Sequence, residues 1–169
     1  MDFNTAFARL IKTEGGFTDD PKDSGNWTGG IVGVGELKGT KFGIAASSYG
    51  YLDIKNLTVG QAKEVYERDF WNVIGDADPS IKFQIFDASV NHGRGNAIRF
   101  LQRAVRVADD GKWGAVSQTA LDAMDKNDVL LRFIAYRFKF WASLKAFAVY
   151  GAGWTNRGAD DLLYAADDN

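Results

Sequence analysis

Phe3-Asn4-Thr5-Ala6-Phe7-Ala8-Arg9-Leu10-Ile11-Lys12-Thr13-Glu14 is the stretch on which the reading of this chain turns. At about 100° per residue, Phe3, Phe7, Leu10 and Ile11 fall on one helical face. Glu14 points along the middle of the same apolar stripe. Gly15-Gly16 follow and predict the helix stop. A carboxyl at a helix C-terminus meets the negative end of the macrodipole. Partial burial adds to that effect, and both favour the protonated form. A carboxyl held protonated near neutral pH suits a general acid. The plainer alternative is a glutamate that frays into solvent or joins a structural ion pair.

Bulk composition narrows the classes. The 169 residues suit one domain with a real core, expected here to be monomeric. Hydrophobic residues make up 46% and charged residues 25%, the balance of a soluble globular chain. A net charge of −2 offers no electrostatic case for nucleic acid. Without cysteine there is no disulfide and no thiolate. One histidine, His92, excludes a multi-histidine metal site and leaves a Ser-His-Asp triad one candidate. Its place before Gly93 predicts a capping or surface histidine at a helix end. No metal and no cofactor are expected. The N-terminus lacks a basic-then-apolar signal pattern. The most apolar window, Val129 to Tyr150, is interrupted by Arg132, Arg137, Lys139 and Lys145. Those charges argue against a membrane anchor and predict a buried central helix. A cationic amphipathic helix that perturbs membranes is the competing reading.

Between Gly15 and Gly50 glycine alternates with short β-prone pieces, Ile31-Val32, Val34 and Lys41-Phe42-Gly43-Ile44. One or two small hairpins are expected there. From residue 58 the signals are helical. Thr58-Val59-Gly60-Gln61 has capping-box form. Asp78-Pro79-Ser80 reads as a turn, and Ile81 to Asn91 as a largely buried helix ended by Gly93-Arg94-Gly95. Asn96, Ser117 and Asp128 are the expected caps of the next helices. Asp109-Asp110-Gly111 reads as a turn, Gly151 to Gly158 as a loop, and Ala159 to Ala166 as a short last helix. The expected class is α+β and mainly helical. Residues 1–57 would form a first helix with a β-hairpin region, and residues 58–169 a helical lobe of the same single domain. Such an arrangement leaves a cleft between the two parts.

Glycoside hydrolysis uses a carboxylic acid at the leaving oxygen and a carboxylate across the sugar. Asp19, Asp20, Asp23 and Glu36 follow Glu14 closely. Asp23 enters the presumed hairpin nine residues on and can face the helix end across a narrow gap. Asp19 and Asp20 precede Pro21 and suit turn hydrogen bonds. Asp23 is therefore the candidate base or stabiliser, with an Asx-turn residue as the equally good local alternative.

Four ordered motifs carry a resemblance. Glu14-Gly15-Gly16-Phe17, Asp20-Pro21-Lys22-Asp23-Ser24-Gly25 and Thr40-Lys41-Phe42-Gly43-Ile44 form the first group. Phe86-Asp87-Ala88-Ser89-Val90-Asn91-His92-Gly93 forms the second. Leu101-Gln102-Arg103-Ala104 with Asp110-Gly111-Lys112-Trp113-Gly114, then Gly153-Trp154-Thr155-Asn156-Arg157, complete the set. Together they resemble glycoside hydrolase family 108, whose members are phage endolysins and related bacterial muramidases. The resemblance implies a lysozyme-like fold, peptidoglycan as partner, and cleavage between N-acetylmuramic acid and N-acetylglucosamine. It also implies the glutamate of Glu-Gly-Gly, here Glu14, as catalytic acid. The spacing is similar to phage lysozymes of the glutamate–aspartate–threonine type, in which aspartate and threonine place a water. Asp23 matches that aspartate. Thr28 matches the threonine by count, and Thr40 by its flanking residues; Thr40 is favoured.

Relative to the shorter family pattern, the chain carries an extra segment from Asn26 to Gly39, expected to lengthen the hairpin over the cleft. Trp27 there would stack on a sugar ring or pack the hairpin. Asn91 would bond an N-acetyl group or backbone at the cleft wall. Asp87 would make a helix–helix hydrogen bond, and Trp154 and Arg157 would hold the C-terminal loop on the core. The expected protein is an N-acetylmuramidase for phage-induced lysis, made in the host cytoplasm without a signal and acting at the cell wall. A lytic transglycosylase, or a non-catalytic glycan-binding scaffold, are the competing readings. Carboxyls about 6.5 Å or more apart would mean inversion, and about 5–5.5 Å retention.

Overall fold

The apolar stripe of the opening stretch forms helix α1, Phe3–Ile11, and buries Phe3, Ala6, Phe7 and Leu10. Burying a Phe or Leu side chain is worth about 1.5–3 kcal/mol, so this face alone can anchor the helix. The computed structural model describes residues 1–11 and 16–168. Lys12, Thr13, Glu14, Gly15 and Asn169 lie outside the described residues, and with them the proposed acid and its helix stop.

The chain divides into two compact units, Phe3–Asp69 and Phe70–Asn169 with Met1–Asp2. In the first, Phe7 packs its ring against Phe3 and against Tyr66, each at 5.9 Å between centroids. Tyr66 belongs to α3, Val59–Tyr66, which begins with the full capping box foreseen at Thr58 and Gln61. A 3-10 turn, Ser24–Asn26, precedes a two-stranded antiparallel sheet, β1 Thr40–Lys41 and β2 Ile44–Ala45. Its register pairs Thr40 with Ala45 and Lys41 with Ile44. Phe42 and Gly43 turn the corner with φ of 51° and 74°, the left-handed pair a two-residue hairpin needs. The short helix α2, Ala46–Tyr49, follows directly.

Ile31-Val32 and Val34 are not strands. They sit in an exposed excursion whose backbone bonds are Gly29 N to Val34 O and Val34 N to Ile31 O. Gly30, Gly33 and Gly35 all adopt positive φ, so the chain reverses too often for the branched residues to extend.

The second unit holds α4 Pro79–His92, α5 Arg94–Ala104, α6 Ala115–Asp122, α7 Lys126–Ser143 and α8 Phe147–Asp167. Asp78 is not part of a free turn; it caps α4 by accepting from Ser80 N at 2.9 Å, with Pro79 as first helical residue. α4 is buried almost all round, from Ile81 through Ser89. It packs on α5, α7 and α8, and α7, the first part of the Val129–Tyr150 window, packs in turn on α4, α5 and α8. That window splits: α7 ends at Ser143, Leu144 is extended, and α8 begins at Phe147. Ser117 and Asp128 are not caps; Gly114 and Asp125 hold those positions. Asn96 lies inside α5, donating to His92 O at 2.9 Å. Among the described residues 62% are helical and there is one small sheet, so the mainly helical, lysozyme-like α+β class holds.

The largest departure is α8, which runs unbroken through Gly151–Gly158. Gly158 marks a helix contact, not a loop. A Cβ on Gly158 would stand 2.5 Å from Phe138 Cζ and 3.0 Å from Trp141 Cζ3 on α7. Gly158→Ala is therefore expected to lower the unfolding free energy by about 1–3 kcal/mol through overpacking, read from a urea transition. An unchanged transition would mean that the helices separate freely there.

Candidate active site

Asp20 opens the site region by accepting from Lys22 N at 2.9 Å, the turn bond expected of it. Its carbonyl takes Asp23 N at 3.1 Å. Asp23 then caps the 3-10 turn, Oδ1 accepting from Gly25 N at 2.8 Å. This is the Asx-turn geometry, and it engages one carboxylate oxygen of an exposed side chain. Asp19 makes no such bond and faces elsewhere.

The organising residue is one that sequence reasoning passed over. Asn26 is fully buried. Its Nδ2 donates to Asp20 O at 3.0 Å, and its Oδ1 accepts from the Thr40 hydroxyl at 2.7 Å. Its own carbonyl takes Lys38 N and Gly39 N, both at 3.0 Å. Asn26 thus ties the Asp20–Asp23 turn to the first strand of the hairpin. Its only signal was a short polar residue after Ser24-Gly25, which does not separate a buried hub from a surface turn. Asn26→Ala strips partners from Asp20 O and Thr40 Oγ1. A loss of about 1–3 kcal/mol is expected in chemical denaturation; no loss would mean that water replaces the amide freely.

Thr40 and Asp23 share this neighbourhood. Gly25 lies between the Asp23 carboxylate and Ala45, and Ala45 is Thr40's cross-strand partner. A Cβ on Gly25 would be 3.2 Å from Asp23 Oδ1 and 3.9 Å from Ala45 Cβ. Thr40 also exchanges both backbone hydrogen bonds with Thr18, at 2.8 and 2.9 Å. Thr28 has a different task. Its hydroxyl accepts from Glu36 N at 2.9 Å and its N–H donates to Glu36 O at 2.9 Å, closing the base of the excursion.

Trp27 is half-buried, and its Nε1 donates to Pro21 O at 2.9 Å. Its backbone bridges to Leu37, which ties the turn to the excursion. Asn91 stands on the last turn of α4 in the other unit. Its Nδ2 donates to Asp87 O at 2.7 Å and to Asp87 Oδ2 at 3.2 Å.

Asp87 sits in a buried charge cluster. Arg137, fully buried, donates to Asp87 Oδ2 at 2.7 Å and to Asp161 Oδ2 at 2.6 Å. Arg157 adds a bond to Asp87 Oδ1 at 2.7 Å. The expected helix–helix role of Asp87 is met by ions, and Arg157 holds α8 rather than a loop. Burial pulls the Asp87 carboxyl up, but the Arg137 and Arg157 charges outweigh it and hold the group below the usual range. Asp161 is pushed up to about 7 by burial and then by Asp87, against the pull of Arg137.

His92 ends α4 as expected, but it is half-buried among the rings of Phe100, Phe140 and Trp141 at 5.3–5.7 Å. Burial first, then Arg137, pushes it down to about 4, so it is neutral near pH 7. The motif around Asp110 is also structural: Gln102 donates to Asp110 Oδ1, Lys112 O and Ser117 Oγ, and accepts from Gly111 N. Among the described residues no group of three or more metal-binding side chains gathers. No helix among them is long and apolar enough to cross a membrane.

The family model for glycosyl hydrolase 108 matches residues 7–93, just over half of the chain. No curated protein matches. Among solved structures the chain is similar to SagA of Brucella abortus, with a TM-score of 0.81 and 26% identity. That alignment covers 98% of this chain and 94% of the other. The chain belongs to glycosyl hydrolase family 108, which makes it a glycosidase and supports peptidoglycan as its substrate.

Proposed function

We propose that the protein is an N-acetylmuramidase, cleaving the β-1,4 bond from N-acetylmuramic acid to N-acetylglucosamine. The observation that carries the reading is the family match over residues 7–93, a span that includes Glu14, Asp23, Thr40 and Asn91. Glu14 protonates the glycosidic oxygen. Asp23 activates water or stabilises charge at the anomeric carbon. Oδ1 of Asp23 holds Gly25 N, so Oδ2 is the oxygen left for that work. Thr40 already donates its hydroxyl hydrogen to Asn26, whose amide is oriented by Asp20 O. Thr40 therefore offers water an acceptor, a defined way to turn a water hydrogen away from the sugar. Trp27 offers a ring face to a sugar, and Asn91 an amide. Neither metal nor cofactor takes part. The protein works as a monomeric single catalytic domain in phage-induced lysis, reaching the wall from the host cytoplasm once the membrane is opened.

Digestion of purified sacculi, borohydride reduction and mass spectrometry test the chemistry. Muropeptides ending in reduced N-acetylmuramic acid are expected. Products ending mainly in 1,6-anhydromuramic acid would establish a lytic transglycosylase instead. Binding without any clearing of sacculi would leave a scaffold.

A further inference from the structure

Thr18 and Thr40 lie directly opposite each other, so their side chains share one face of the small sheet. Phe17 and Asp19, one residue either side of Thr18, project to the other face. There they line a groove of about 460 Å³, built within the first unit together with Leu37, Tyr51, Ile54 and Lys55. The groove is thus separate from the Asp23–Asn26–Thr40 arrangement. Gly39 shapes its wall. At φ +83° it leaves space that a Cβ would contest with Phe17 Cε2 at 2.6 Å and Thr18 O at 2.5 Å.

The lining has two chemical characters. Tyr51 is 70% exposed and Leu37 40% exposed, so an aromatic and an aliphatic surface stand open to a ligand. The charges are of both signs. Lys38 is committed, donating to Gly50 O at 2.7 Å and standing 3.4 Å from Glu36. Asp53 is committed to Asn56, and those hydrogen bonds hold its carboxyl below the usual range. The Asp19 carboxylate and the Lys55 ammonium have no partner among the described residues, although both line the same concavity.

One free anion and one free cation beside the exposed Tyr51 and Leu37 side chains do not match a neutral sugar, whose hydroxyls need no net charge. They match a short peptide that carries a carboxylate, an amine and an aliphatic side chain. We propose that this groove docks the peptide stem of peptidoglycan, Lys55 taking a stem carboxylate and Asp19 a stem amine, an assignment that rests on the substrate class proposed above. The enzyme then reads both parts of its polymer, the glycan at the hairpin's catalytic face and the stem on the opposite one.

Two soluble probes separate the parts: a disaccharide-tetrapeptide muropeptide bearing a diamino acid, and chitotetraose, which has no stem. In titration calorimetry of the full chain, Asp19→Asn and Lys55→Met each weaken muropeptide binding about two- to fivefold, and the double variant about tenfold. Chitotetraose affinity stays level. Both substituted positions, Asp19 and Lys55, are exposed, so circular dichroism is expected to be unchanged. On sacculi, the double variant slows digestion of intact wall and leaves amidase-stripped glycan strands unaffected. Equal muropeptide affinity of wild type and double variant overturns the proposal, as does an equal loss for chitotetraose. If wild type cleaves neither intact wall nor amidase-stripped strands, the muramidase reading falls, and the titration still decides the groove.

Discussion

Arg137→Met is expected to lower the unfolding free energy by about 3–5 kcal/mol, because it removes the cation shared by two buried carboxylates. Arg137 joins Asp87 on α4 to Asp161 on α8, from a fully buried position on α7. Arg157 still covers Asp87 in the variant, so Asp161 is the group left most exposed to the cost. The penalty depends on pH in a definite direction. Asp161 already titrates at about 7 in the folded chain, above the ordinary aspartate value. Between pH 4 and 7 the folded state therefore holds a proton that the unfolded state has released, and stability from this group rises as pH falls. Loss of Arg137 raises that folded value further. The difference between variant and wild type is expected to be largest above pH 7 and to shrink toward pH 4. Urea transitions at pH 4.5, 6 and 8 measure it. A pH-independent loss below about 1 kcal/mol would mean that the cluster is solvated and contributes little. Arg137→Lys keeps the charge, but one ammonium lacks the planar fork that meets both carboxylates, so an intermediate loss is expected.

Glu14→Gln carries the larger effect on activity. With Glu14 as the proton donor of the proposed reaction, clearing of purified sacculi is expected to fall about 10²–10⁴-fold. Glutamine keeps the shape and gives no proton, so the far-ultraviolet spectrum and thermal midpoint are expected to match wild type. Residual clearing within tenfold of wild type would remove Glu14 from the role of acid. Thr40→Ser is expected to retain most activity and Thr40→Val to lose it, because valine removes the hydroxyl that donates to Asn26 and that the proposed reaction offers to water.

The amino-acid sequence by itself determined the features that depend on near neighbours. The stripe Phe3, Phe7 and Leu10 lies buried, and the Thr58–Gln61 capping box forms as spelled. Gly93 separates α4 from α5, and Gly111 turns with φ of 76°. Each rests on helical period, a cap or a left-handed glycine, all properties of a few consecutive residues. The family itself was legible from ordered motifs of short residue runs.

Tertiary structure decided what depends on distant partners. Arg137 looks like a charge interrupting an apolar window, until Asp87 and Asp161 meet it from 50 and 24 residues away. Gly151 and Gly158 have the look of loop punctuation, until α7 comes close enough that only a missing Cβ fits at Gly158. Ile31, Val32 and Val34 have strand propensity but find no neighbouring strand, so positive-φ glycines turn them outward. Asn26 shows the same principle at the site: a short polar side chain becomes a hub only when Asp20 and Thr40 converge on its two ends. Local sequence sets which conformations are cheap, whereas burial and the satisfaction of buried polar groups choose among them, and those are settled by residues far along the chain.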